Sequence, residues 1–239
     1  EFSIKRGYVT TQSVLSRKSD LDPSVGVVKI LNFDLTTPVQ FSEAVDTLMS
    51  QGIEKFVFDL RYNPGGDLLS IEAVLSYFLN EGDVIISTTD KAGNKETDVV
   101  RVVSYTDKYE GCSISAKDIG KYRGLECAVI VNNSTASAAE LFTANFRDYE
   151  LAPIIGVTTF GKGSMQSLFP LDYFGYDGGI KLTTKMYFAP LGESYEGVGI
   201  TPDVIVELDE EAKNTSIYKL ADAKDAQMQA AVSKLTGAS

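Results

Sequence analysis

Apolar positions recur along this chain with two spacings. Val27, Val28, Ile30 and Leu31 form a compact run that predicts a strand. Thr37-Pro38 follows, a capping residue with proline at the first helical position. Phe41, Ala44, Val45, Leu48 and Met49 then return at helical spacing as far as Gly52. Phe56 to Leu60 is a short apolar run of the kind buried strands show. Asp67 to Asn80 predicts a second helix, and Val84-Ile85-Ile86 with Val99 to Val103 a hairpin around Gly93-Asn94. Ala128 to Val131, Ile154 to Val157 and the alternating Gly179 to Phe188 predict further strands. Ala138 to Tyr149 and a polar segment over 215–235 predict helices. The polar stretch Ser16 to Pro23 reads as a loop, and residues 104–126 show no usable period.

Strands alternating with helices predict an α/β fold with a mainly parallel sheet. Functional residues of such sheets gather at the carboxyl ends of strands. Three loops qualify, after Leu60, Val131 and Val157.

Composition narrows the chemistry. The 239 residues are 44% hydrophobic and 23% charged, which fits one sizeable globular domain. A net charge of −11 argues against nucleic-acid or anionic-membrane partners. Cys112 and Cys127 fit no zinc or redox spacing and read first as free thiols, with a mutual disulfide as the alternative. The chain has no histidine. Ser-His-Asp triads, Cys-His dyads and His-containing zinc sites are therefore excluded.

Each of the three loops has a reactive and a plain reading. In Asn132 to Glu140 a strand gives way to a helix, which puts Ser137 at a helix N-terminus, where free N–H groups and the helix dipole favour developing negative charge. Ser137 and Glu140 also have the spacing of a structural capping box. Lys162 lies between two glycines in Phe160 to Ser164. That is usual for a solvated turn, yet a desolvated amine can act as base to a serine hydroxyl. Pro64-Gly65-Gly66 allows a tight turn that could aim an N–H at a carbonyl, with Asp59 and Arg61 as a structural ion pair beside it.

Together these segments resemble the carboxyl-terminal processing peptidases, or tail-specific proteases. The matching stretches are DLRYNPGG (59–66), NNSTASAAE (132–140), FGKGSMQ (160–166) and GVGITPDVIVEL (197–208), in the family's order. The resemblance implies Ser137 as nucleophile, Lys162 as general base and Gln166 as the residue that orients the lysine. It implies an oxyanion hole from the Ala138 N–H and one N–H of Gly65 or Gly66. It also implies the spiral ββα fold of ClpP and crotonase proteins, a serine peptidase core over 26–208 and a C-terminal helical segment over 209–239. Residues 1–25 would be the end of a PDZ domain, largely missing, and a linker. Protein or peptide substrates, no cofactor or metal, an extracytoplasmic location and an open question of homo-oligomerisation complete the expectation. A non-catalytic peptide- or ligand-binding module on the same fold is the rival. An acyl-CoA enzyme of the crotonase type would need a cationic pocket that the acidic composition disfavours.

Overall fold

The structure, a computed structural model, describes residues 11–237. Among the described residues ten strands form two sheets. The larger has the order β1 (Val14–Lys18), β2 (Val25–Ile30), β3 (Lys55–Asp59), β6 (Glu126–Val131), β7 (Ile154–Gly156) and β10 (Val204–Ile205). All of its pairings are parallel except β1 with β2. The smaller is antiparallel, in the order β5 (Lys95–Val99), β4 (Val84–Asp90), β9 (Gly179–Phe188) and β8 (Ser164–Pro170).

The central strands read as unbroken apolar runs because both faces of the large sheet are covered. Phe56 and Phe58 of β3 and Val129 and Val131 of β6 face one side. There they meet α1 (Thr37–Ser50), α2 (Leu68–Ser76) and α3 (Ala138–Asp148). Phe58, Phe78, Phe142 and Phe146 pack as an aromatic cluster, with the Phe142 and Phe146 rings 4.2 Å apart. The alternate residues Val57, Ala128, Ile130 and Ile155 face the other side. After the short α4 (Glu210–Lys213), helix α5 (Ala226–Thr236) covers them with Met228, Ala231, Val232 and Leu235. Each such buried side chain contributes roughly 1.5–3 kcal/mol if fully buried, less for alanine.

Four strands depart from the expectation, and the helix expected over 215–235 begins only at Ala226. β5 covers Lys95–Val99 rather than Val99 to Val103, and β10 was not expected. Ser16 to Lys18, read as loop, belongs to β1, an edge strand whose polar residues face water while Val14 is buried. β8 lacks the apolar run of a buried strand because it is an edge strand, largely exposed towards its end. The unplaced stretch after Val103 contains a single 3-10 turn over Asp107–Cys112. Cys112 and Cys127 are both buried and free. The end of a PDZ domain expected near Glu1 to Gly7 lies outside the described residues.

The parallel register brings the carboxyl ends of β3, β6 and β7 side by side, with Asp59 opposite Ile130 and Val131 opposite Gly156. All three candidate loops leave from this edge.

Candidate active site

The loops after β3 and β6 are laced together before any reactive group enters. Asn132 Oδ1 accepts from the Tyr62 N–H (3.0 Å), Thr135 Oγ1 donates to the Leu60 carbonyl (2.9 Å), and the Ala136 N–H donates to the Asn63 carbonyl (2.9 Å). This framework delivers Ser137 to the start of α3 in an unusual backbone state, φ 57° and ψ −122°. A non-glycine residue there carries strain of about 1–3 kcal/mol and persists only where its surroundings impose it.

Glu140 supplies much of that imposition. Its side chain is fully buried. As the capping-box spacing predicts, Oε2 accepts from the Ser137 N–H at 2.9 Å. The same carboxylate also accepts from the Lys162 N–H (2.8 Å), the Gly161 N–H (2.6 Å) and the Thr159 hydroxyl (2.6 Å). One side chain therefore ties the main chain of the serine to the main chain of the lysine. The Gly163 N–H donates to Glu196 Oε2 (2.5 Å), and the Tyr187 phenol donates to the Lys162 carbonyl.

The Pro-Gly-Gly turn lies against this corner. A Cβ on Gly65 would come within 2.7 Å of Ser137 Cβ, the Ala136 carbonyl and the Ala138 nitrogen. A Cβ on Gly66 would lie 1.9 Å from the Phe33 carbonyl. The two glycines have φ of 93° and 154°, so neither site suits a side chain. Their N–H groups differ. That of Gly65 donates to Asn63 Oδ1 at 2.8 Å. Those of Gly66 and Ala138 have no acceptor among the described residues.

A cleft of about 320 Å³ opens in front of these groups. Gly66, Ser137, Ala138, Lys162, Gln166 and Tyr187 supply its polar side, and Ile86, Leu141 and Met165 its apolar side. Met165 and Gln166 of β8 both line the cleft, beside a register shift that leaves Thr184 of β9 as the extra residue. Burial pushes the Tyr187 phenol up to about 12, with the neighbouring Ser137 and Tyr195 hydroxyls opposing part of the rise. Among the described residues no hydrogen bond joins Lys162 Nζ to Ser137 Oγ. The lysine is pinned by its main chain, and its side chain is half-buried in the cleft.

A second cavity, about 340 Å³, lies where the C-terminal segment covers β1 and β2. Most of its charges are paired: Lys29 with Asp59 (3.2 Å), Arg61 with Asp59 (2.9 Å) and Asp225 (2.7 Å), and Arg17 with Asp222. Burial pushes the Asp59 carboxyl up, but Arg61 and Lys29 outweigh it and hold the group well below the usual carboxylate range. This is the structural ion-pair reading of Asp59 and Arg61, extended to four residues, and it leaves the reactive groups to the first cleft.

The model of peptidase family S41 matches residues 24–206. The chain belongs to this family. S41 relatives include a carboxy-terminal-processing protease of Bartonella bacilliformis, 34% identical over 87% of this chain and 44% of its own length. Those of Synechocystis (30% identical, 99% and 50%) and Bacillus subtilis (32% identical, 89% and 41%) are similar. The chain thus spans about half the length of the curated relatives it matches. A lipoprotein from Streptococcus agalactiae has the same fold, with a TM-score of 0.66 at 26% identity over 85% of this chain and 68% of that one. The photosystem II D1 C-terminal processing protease has a TM-score of 0.64 at 24% identity, over 83% and 49%.

Within this S41 chain, Ser137, Lys162, Gln166, Ala138 and Gly66 all border one cleft, and Gly65 stands behind the serine rather than in the opening. Sequence reasoning missed the wider work of Glu140 and gave no part to Tyr187. The i, i+3 spacing marks Glu140 only as a cap, and Tyr187 is one alternate residue of a long strand.

Proposed function

We propose that this chain is the catalytic core of a carboxyl-terminal processing serine peptidase that uses a Ser137–Lys162 dyad. The observation that carries the reading is the serine held at φ 57° on a helix tip and joined through one buried carboxylate to the lysine main chain. In this mechanism the unprotonated Lys162 amine takes the Ser137 proton as Oγ attacks a peptide carbonyl. The Gly66 and Ala138 N–H groups receive the oxyanion, and their lack of other acceptors supports that role over the committed N–H of Gly65. Lys162 then passes its proton to the departing amine. Water, deprotonated by the same amine, releases the acyl group and restores the serine. Gln166 orients the lysine from β8, and no metal or organic cofactor takes part.

Relatives named as carboxy-terminal-processing proteases support protein substrates cut near their C-termini. The resemblance extends the proposal to an extracytoplasmic setting. Among the described residues no helix is long and apolar enough to cross a membrane.

The test is casein or peptide cleavage by the full-length protein with Ser137→Ala and Lys162→Ala made separately. Each is expected to lose at least about 10³-fold in kcat. Wild-type turnover in either variant rejects the dyad.

A further inference from the structure

Tyr187 is a buried phenol at the mouth of a site whose serine and lysine chemistry does not call for one. It is 4% exposed, on β9, and both of its ends hold the lysine loop. Its N–H donates to the Gly163 carbonyl at 2.9 Å, and its hydroxyl donates to the Lys162 carbonyl. The ring meets Tyr195 edge-on at 5.5 Å, and the Tyr195 hydroxyl behind it is buried without a partner among the described residues. Tyr187 and Ser137 border the same cleft.

We propose that Tyr187 is a positioning residue for acyl transfer, whose phenol fixes the Lys162 carbonyl. The inference rests on the Ser137–Lys162 reading. A lysine side chain has four rotatable bonds, and its reach to Oγ is reproducible only if the peptide planes on both sides stay put. Glu140 holds the plane before Lys162 through its N–H, and Tyr187 holds the plane after it through the carbonyl. On attack the Ser137 proton passes to Lys162 Nζ, and Tyr187 keeps its own proton throughout.

Tyr187→Phe removes one oxygen and keeps the ring on Tyr195. With fluorescein-labelled β-casein as probe, kcat is expected to fall at least about tenfold while KM stays within about twofold. Tyr149→Phe is the control. It loses a similar phenol-to-carbonyl bond, to Val84 at 2.8 Å, away from the cleft, and keeps its kcat. A Tyr187→Phe enzyme with kcat within about twofold of wild type overturns the role, as does an equal loss in Tyr149→Phe. If Tyr187→Phe fails to fold, 3-fluorotyrosine at position 187 preserves shape and alters only the strength of the phenol as donor and acceptor. An unchanged kcat there overturns the role equally. Ser137→Ala separates the levels. Turnover in that variant sinks the peptidase reading and this role with it, whereas an inert Ser137→Ala beside a fully active Tyr187→Phe sinks the role of Tyr187 alone.

Discussion

Replacing Glu140 with glutamine changes one atom of the buried carboxylate and keeps its shape. In the native site Oε1 serves Thr159 and Gly161, and Oε2 serves Ser137 and Lys162. An amide can keep only one of these pairs, because its NH₂ end presents donors to donors. The cheaper outcome loses two charge-assisted hydrogen bonds, each worth about 1.5–3 kcal/mol, and leaves their buried donors unmet. The expected cost is therefore about 3–6 kcal/mol, a large share of the roughly 5–15 kcal/mol that holds a domain folded. At about 2–4 °C per kcal/mol for a chain of this size, Tm falls by at least about 6 °C. If the amide turns its NH₂ towards Ser137 and Lys162, the serine corner and the lysine loop separate, so kcat falls as well. Calorimetry and casein turnover on Glu140→Gln, with Glu196→Gln as a more exposed comparison, decide the matter. A Glu140→Gln protein with Tm within about 2 °C of wild type and unchanged kcat refutes the assignment of Glu140 as the tie between the two loops.

Other outcomes follow from the same geometry. Ser137→Gly abolishes turnover but relieves the backbone strain at φ 57°, so it is expected to raise stability by about 1 kcal/mol in a urea melt, whereas Ser137→Ala is not. Asp59→Asn leaves Lys29 and Arg61 short of a buried anion and costs about 3–5 kcal/mol. Asp59 has a depressed native pKa, so its stabilisation is full above its unfolded value of about 3.9 and is lost as pH falls below it. The wild type should lose stability steeply there, and Asp59→Asn should show a flatter acid limb by circular dichroism. Burial pushes the Cys112 and Cys127 thiols up to about 12. Iodoacetamide at pH 8 should therefore leave both intact in the native protein and alkylate both in urea, as read by mass spectrometry.

The parallel sheet, the three helices over its first face and the functional edge were legible in sequence because they follow from local periodicity. β2, β3 and β6 announce themselves as apolar runs, and Thr37-Pro38 marks the start of α1. β1 and β8 were not legible. They are edge strands with polar outward residues, and only their partners β2 and β9 make them strands. Three of the site's segments could be read from glycine, serine and lysine in strand-ending loops. Which glycine keeps a free N–H depends on the Asn63 side chain claiming Gly65, a choice that no spacing reveals. Glu140 reaches Thr159, Gly161 and Lys162 across folded space, so its larger part emerges only in three dimensions.

The proposed nucleophile and base ride on different layers. Ser137 caps a helix on the parallel sheet, and Lys162 opens the strand pair of the antiparallel one. In that reading competence is a property of the seam between the layers, where Glu140 ties the two loops together. A force that shears that seam by a fraction of a bond length would silence the chain while each layer stayed whole.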